Sequence, residues 1–502
     1  MGLMEKIFGA GWGIHPADRK RPAADIPLRR IATPSHLYVP LQQHIGAPAR
    51  PVVLVGQKVA KGQLLAEAQG ATSAAIHAPR SGTIVSVGDI TAPHASGLPV
   101  AGIAIEWDGE DRWHEPDDLP ADPFALAPED IGRRVAAAGI VGLGGAAFPS
   151  ALKLNLGKRS GIHTLILNGG ECEPYLSCDD RLMRDFARET VEGIRLMLHA
   201  TGAREALVGI EDNKPEAIAA MTAAAAPFGE VQVRPVPARY PMGSEKHLFS
   251  TLTGKEVPAD GRTTDLGVLV HNVGTAYAVQ QAIRLGRPLV ERIVTLNGGA
   301  WHAPGNCVVP VGMLVADIVT AVGLKQDPAR LIMGGPMMGT QLPGTFVPVV
   351  KGTSGLLALT ADEAAAGEAQ PCIRCSSCVR ACPVGLLPLE MAARIRTDDY
   401  AGAVDLGLKD CIACGCCAWV CPAHIPLVQY FGHAKGELAA RDRAKLRTDA
   451  TKRLVAARAE RLEREAKEKA EAAARRKAER AAQKAAEAAA AAATADRTTE
   501  ES

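Results

Sequence analysis

Aromatic residues are scarce, at 4 % of the chain, which argues against an aromatic-cored β protein. No apolar run reaches membrane-spanning length, and the alanine stretch Ala488–Ala493 is too short to count as one. Met1 to Lys20 has no apolar secretory core, and Lys6 stands where myristoylation wants Ser or Thr, so neither a signal peptide nor an N-terminal acyl anchor is expected. Charge of one sign is also missing. Lys+Arg 56 against Asp+Glu 55 leaves +1, so no global field points to nucleic acid or to an acidic partner. What is abundant is glycine, 50 residues in a chain of 502, enough for several domains with Gly-loop α/β character.

Eight of the 12 cysteines fall in two short runs. The first is Cys372-x2-Cys375-x2-Cys378-x3-Cys382-Pro383, and the second is Cys411-x2-Cys414-x2-Cys417-x3-Cys421-Pro422. This is the spacing of a [4Fe–4S] site, in which short spacers let soft thiolates converge on one cube. Structural zinc knuckles also use C-x2-C, but zinc gives no reason for a third step followed by C-x3-C-P. Two clusters side by side mean one-electron transfer. In two-cluster ferredoxins the fourth cysteine of each run ligates the other cube. That pattern groups Cys372, Cys375, Cys378 and Cys421 on one cluster, and Cys411, Cys414, Cys417 and Cys382 on the other. Cys416 is then a bystander. Free thiols and such clusters both favour a reducing compartment.

In chain order, the N-terminal region has short β-rich runs such as Gly82-Thr83-Ile84-Val85-Ser86-Val87, broken by Gly and Pro, which predict a small sandwich or barrel. The pattern resembles the barrel-sandwich hybrid of lipoyl and biotinyl domains. Glu67 to Arg80 contains no lysine, so a carrier function is not expected. His15, His77 and His94 read as loop or packing residues. Trp107 to Pro128 reads as a linker, followed by a helix to Ala138. The loop Gly139 to Pro149 then opens into a helix Ser150 to Leu156, a geometry that lets backbone N–H groups approach a phosphate. The strand His163 to Leu167 delivers Asn168, Glu171 and Glu173. If the chain stays extended there, both acids project to one face. A further helix starts near Tyr240-x-x-Gly243-x-Glu245, and the strand Val268 to Val270 ends at Asn272, where a turn or helix cap would equally explain the asparagine.

The combination is that of a known family. Gly142-x-Gly144-Gly145-x-x-Phe148-Pro149-x-x-x-Lys153, Asn168…Glu171-x-Glu173-Pro174, Tyr240-x-x-Gly243-x-Glu245 and Asn272-Val273-x-Thr275 occur in the order seen in the flavin subunit of respiratory complex I. With the β-rich N-terminus and the paired cysteine runs, the chain more closely resembles the C subunit of the Rnf-type ion-translocating electron transport complex, from about Ile7 to Val428. The resemblance implies FMN against Gly142, Gly144, Gly145, Lys153, Asn168, Glu171, Tyr240, Gly243 and Asn272. It also implies Phe148 on the adenine of NADH, with Glu173 and Glu245 bordering its nicotinamide and ribose. No protein side chain acts as a catalytic nucleophile. The chain departs from complex I at Gly170 and Ser244, where that family is acidic, and at Leu156, where it has an aromatic residue.

The expected architecture is multidomain α/β plus α+β. It comprises a barrel-sandwich-like β module and linker (1–120), an α/β flavin/NADH-binding domain (121–290), a β-grasp-like segment (291–358), a helical two-cluster ferredoxin module (359–432) and a charged helical or disordered tail (433–502). The expected cofactors are two [4Fe–4S] clusters and FMN, with NADH as substrate. The expected partners are the other subunits of a membrane-bound Rnf-type complex, including an Fe–S ferredoxin-like one, on the cytoplasmic side of the inner membrane, with no transmembrane helix in this chain. A corrinoid reductase of a metabolic compartment shares the domain order, and a non-catalytic Fe–S scaffold is the alternative outside enzymology.

Overall fold

The computed structural model describes residues 12–499 apart from 71, 117, 157–160 and 366. Residues 1–11, where the resemblance begins at Ile7, and 500–502 of the tail lie outside that description.

The N-terminal module is two small sheets face to face. One orders His36–Pro40, Pro99–Trp107, Gly82–Thr91 and Lys58–Val59, and the other Arg50–Pro51, Leu64–Glu67 and Ile76–His77. Val39, Leu65, Ile84, Ile103 and Ile105 alternate inward and fill the space between them. His77 lies buried here, its pKa pushed down to about 3 by loss of solvent, which makes it a neutral packing residue.

The α/β domain is built on a four-stranded parallel sheet in the order Val231–Val236, Glu205–Glu211, Thr164–Gly169, Val268–Asn272. In chain sequence that order is third, second, first, fourth. The direction in which strands are added therefore reverses between Thr164–Gly169 and Val268–Asn272, with Asn168 opposite Asn272 at the carboxyl ends. Such a switch point leaves a crevice where α/β sheets hold their ligands. Thr164–Gly169 and Val268–Asn272 open on apolar runs because helices cover the sheet on both faces, Ala187–Thr201 and Val273–Leu285 in one core and Glu245–Thr253 in the other.

The next unit is a six-stranded mixed sheet, in which Glu291–Asn297 pairs antiparallel with Gly305–Pro310 and parallel with Gly355–Leu359, and the helix Val315–Val322 packs on the same core. Its edge strand is Arg29–Arg30, parallel to Cys307–Val308. The N-terminal stretch thus belongs to two units, and a boundary at 120 does not separate them. Lys351 ties this unit to the other two, its buried Nζ donating to the carbonyls of Ala75 and Gly139 at 2.7 and 2.6 Å.

The cysteine runs sit in a module of short helices, Ser377–Ala381, Pro388–Ile395, Tyr400–Asp405 and Cys416–Trp419. The tail expected from 433 is a single helix that starts earlier, Leu427–Thr499. Its first turns place Leu427, Phe431 and Ala434 in the module's core with Met391, Ile395 and Tyr400. From Glu437 outward the helix is almost entirely solvent-exposed as far as its side chains are described. Removing the residues after Lys445 should therefore leave iron and flavin content unchanged, whereas Phe431→Ala should destabilise the cluster module by about 3–5 kcal/mol. Thermal denaturation followed by cluster absorbance distinguishes the two, and loss of clusters on truncation would contradict this division of the helix.

Candidate flavin and cluster site

Each element that carries a motif residue ends at the switch-point crevice. Asn168 sits at the end of its strand, accepts from the Gly170 amide at 2.9 Å and donates to the Gly243 carbonyl at 2.8 Å. It thereby joins the Tyr240–Glu245 turn to the strand end. That junction needs a glycine at 243, where a Cβ would stand 2.5 Å from the Gly170 carbonyl oxygen. At Gly170 a Cβ would stand 3.1 Å from Asn168 Oδ1, a tight approach that the asparagine would have to relieve.

Asn272 caps the helix Val273–Leu285, accepting from the Gly274 amide at 2.8 Å, and donates to Asp179 at 2.7 Å. The helix cap, which the sequence allowed for this asparagine, therefore lies at the strand end beside the crevice. The Thr275 hydroxyl accepts from the Leu143 amide at 3.0 Å, which holds the glycine loop against this helix. A Cβ on Gly144 would meet Asn272 at 3.4 Å, while one on Gly145, whose φ is +104°, would meet nothing within 4 Å. The loop thus offers bare backbone to an open face beside a helix N-terminus, which suits a phosphate-bearing planar cofactor. Gly142 donates to the Phe148 carbonyl at 2.8 Å, which closes the loop and leaves the Phe148 ring half-buried on its flank. Lys153 reaches the same face, donating to the Val270 carbonyl at 3.0 Å and standing 3.5 Å from Glu245, which also accepts from Thr263 at 2.7 Å.

Glu171 and Glu173 do not share a face. The strand ends at Gly169 and the chain turns, with Tyr175 at φ +68°, so the period of two is lost. Glu171 is buried and accepts from the Asp179 amide at 2.9 Å and the Cys178 thiol at 3.2 Å, at the start of the helix Cys178–Asp185. Glu173 accepts from the amides of Met337 and Met338 at 3.0 and 2.8 Å. Burial raises its pKa to about 7 against the pull of those two amides. Burial, and then the Glu171 charge, raise Asp179 to about 7 as well. Lys20 holds the whole turn: its buried Nζ donates to the carbonyls of Glu171, Glu173 and Leu176 at 2.8, 3.0 and 2.5 Å. Nothing local in the sequence marks Lys20 for this role, because its partners lie far along the chain.

Tyr240 is buried, and its hydroxyl donates to the Cys414 carbonyl at 2.7 Å. It links the crevice to the second cysteine run. Cys382, Cys411, Cys414 and Cys417 line one cavity with Met391 and Phe431. Cys372, Cys375, Cys378 and Cys421 line another with Arg374 and Arg396. Each cavity gathers three cysteines of one run and the fourth of the other. Among the described residues no three His, Cys, Asp or Glu side chains close on a single point as the ligands of one ion do. A cube asks for a different arrangement, four thiolates each on its own iron, and the lining of each cavity supplies four cysteines, the soft donors that iron and sulfide take. Cys416 lies outside both cavities, its buried thiol 4.0 Å from the Tyr240 carbonyl.

Parallel strands with a switch-point crevice, joined to two four-cysteine cavities, define a flavin and iron–sulfur oxidoreductase component, and comparison with known sequences agrees. Residues 135–281 match the Nuo51 FMN-binding domain, residues 10–110 the RnfC barrel sandwich hybrid domain and residues 371–425 the 4Fe-4S dicluster domain. The C subunit of the ion-translocating oxidoreductase complex of Rhodobacter capsulatus is 51 % identical over 442 residues, 87 % of this chain and 85 % of that protein. The Pseudomonas aeruginosa and Klebsiella pneumoniae proteins of the same description are 46 % and 43 % identical over 90 % and 92 % of this chain, which spans 58 % and 61 % of their lengths. The chain belongs to the RnfC family, the C subunits of ion-translocating oxidoreductase complexes. A looser likeness to an NAD+-reducing [NiFe]-hydrogenase structure, 20 % identical with a TM-score of 0.45 over 65 % of each chain, carries no weight.

The crossed donor sets make a direct prediction. Cys382→Ser should abolish the EPR signal of the cluster built on Cys411, Cys414 and Cys417 and spare the other, while Cys416→Ser should remove neither. Loss confined to the first-run cluster in Cys382→Ser, or any cluster loss in Cys416→Ser, would contradict the pairing.

Proposed function

We propose that this chain is the electron-input subunit of a membrane-bound complex, moving electrons between NADH and an iron–sulfur partner subunit. The observation that carries the reading is the junction of the Asn168/Asn272 crevice to the second-run cavity through Tyr240. FMN held in the crevice supplies two-electron exchange with NADH and one-electron exchange with the clusters. The residues of the chain bind and orient. Gly142, Gly144 and Gly145 present backbone, Lys153 and Asn272 bracket the phosphate side, and Asn168, Glu171, Tyr240 and Gly243 shape the ring side. Phe148 flanks the adenine of NADH, and Glu173 and Glu245 border its nicotinamide and ribose.

Cys382, Cys411, Cys414 and Cys417 hold the cluster nearer the flavin, while Cys372, Cys375, Cys378 and Cys421 hold the one that faces the partner. The exposure of Cys372, Cys375 and Ile373, beside the exposed Arg374, Arg380 and Arg396, supports that order. A basic rim around a half-open donor set suits an acidic redox protein. The six-stranded sheet, which we read as β-grasp-like, serves as a spacer that braces the Glu173 turn through Met337 and Met338. Among the described residues no helix is long and apolar enough to cross a membrane. Attachment at the cytoplasmic face is therefore assigned to the partner subunits.

Glu245→Gln and Phe148→Ala should each lower NADH:ferricyanide turnover about tenfold or more, equivalent to ~1.4 kcal/mol of transition-state binding, with iron content intact. Unchanged turnover in both variants would overturn the nucleotide assignment.

A further inference from the structure

A second cleft opens between Leu143, the helix Val273–Leu285 and the start of the strand Glu291–Asn297. None of the flavin candidates Gly144, Asn168 and Asn272 lines it. Its apolar wall includes Leu143, Phe186 and Tyr277, the two rings 5.1 Å apart and tilted by 42°. Three arginines line the same cleft: Arg30, Arg287 and Arg292.

Arg292 is the unusual one. It is 5 % exposed, yet its side-chain hydrogen bonding among the described residues amounts to Nε on the Thr353 carbonyl at 3.4 Å, and no described carboxylate stands within 4.0 Å of it. Asp179, whose charge reaches it from further off, is held by Asn272 at 2.7 Å. Glu291, the one acid lining the cleft among the described residues, is already shared by Lys61 at 2.9 Å, Arg80 at 2.6 Å and Arg30 at 3.2 Å. Arg287 faces the Trp113 ring at 5.0 Å and has no carboxylate partner among the described residues either. Burying a cation without a counter-charge is costly, so a conformation that keeps Arg292 at an apolar cleft is stabilised by any anion that enters it. Apolar walls set the rest of the ligand's chemistry.

We propose that this cleft is a binding site for a small organic anion, a terminal carboxylate, sulfonate or phosphate on an apolar or aromatic body, with Arg292 as its charge partner and Arg287 at the mouth. The proposal does not depend on the flavin assignment. A ligand here would press on Leu143, whose amide is held by Thr275, and so on the back of the glycine loop.

The test uses the full chain with its cofactors and 1-anilinonaphthalene-8-sulfonate, an aromatic sulfonate, as probe. Fluorescence titration should show one saturable site, weakened at least tenfold by Arg292→Gln, about threefold by Arg287→Gln, and not at all by Arg204→Gln on an exposed surface elsewhere. Flavin and iron content should stay at the wild-type level throughout. Equal affinity in Arg292→Gln and Arg204→Gln would overturn the proposal. So would loss of flavin alone in Arg292→Gln, since the cleft would then be part of the flavin site. Should Arg292→Gln lose flavin and clusters together by misfolding, Gln281→Trp decides: placed at the cleft on the helix, it should abolish probe binding, and retained binding would overturn the proposal.

Discussion

The hydrogen bond from Tyr240 to the Cys414 carbonyl fixes where the cysteine module sits on the flavin domain. It does not act alone. The backbone of Tyr240 exchanges two hydrogen bonds with Ile14, at 2.9 and 3.0 Å, and the Gly13 amide donates to Ala381 at 3.1 Å. His247 reaches the Pro383 carbonyl at 2.8 Å and packs on Trp12 at 4.6 Å between ring centres. A short N-terminal segment is thus laced between the two domains, with Ile14, Tyr240, Ala381, Cys414 and Cys416 sealing the seam. A buried, fully bonded joint of this kind holds its members in one geometry. Electron transfer between separately held groups requires that constancy.

The same economy governs the acids at the crevice. Glu173 and Asp179 share a poorly solvated corner with the buried Glu171, and burial disfavours the charge of the first two. Backbone amides of Asp179, Met337 and Met338 supply the donors, and Lys20 fastens the carbonyls of the turn from behind. The acids are therefore held by structure before any ligand arrives, and the face left open is the backbone of Gly144 and Gly145.

How much of this is legible in the sequence depends on range. The grouping of the cysteines around two cavities is legible because it follows the pattern of two-cluster ferredoxins, in which the chain crosses between the sites. The Asn168 and Asn272 positions are legible because apolar strands announce their own ends. Glu171 and Glu173 look like a pair only while strand periodicity is carried past Gly169, where the chain in fact turns. Lys20 and the edge strand Arg29–Arg30 give no local signal, since their partners, Glu171 and Cys307, come from distant parts of the chain. The long helix is legible in composition, and its entry into the module core at Leu427 and Phe431 is hidden by an apolar pattern only two turns long.

The central claim is that the cluster on Cys411, Cys414, Cys417 and Cys382 stands next to the flavin and the other stands beyond it. The most direct test is freeze-quench EPR of the dithionite-reduced Cys375→Ser chain mixed with NAD+. The second-run cluster should be oxidised at the wild-type rate although the first-run site is broken. A second-run signal that persists after mixing, in protein whose flavin content is intact, would contradict it.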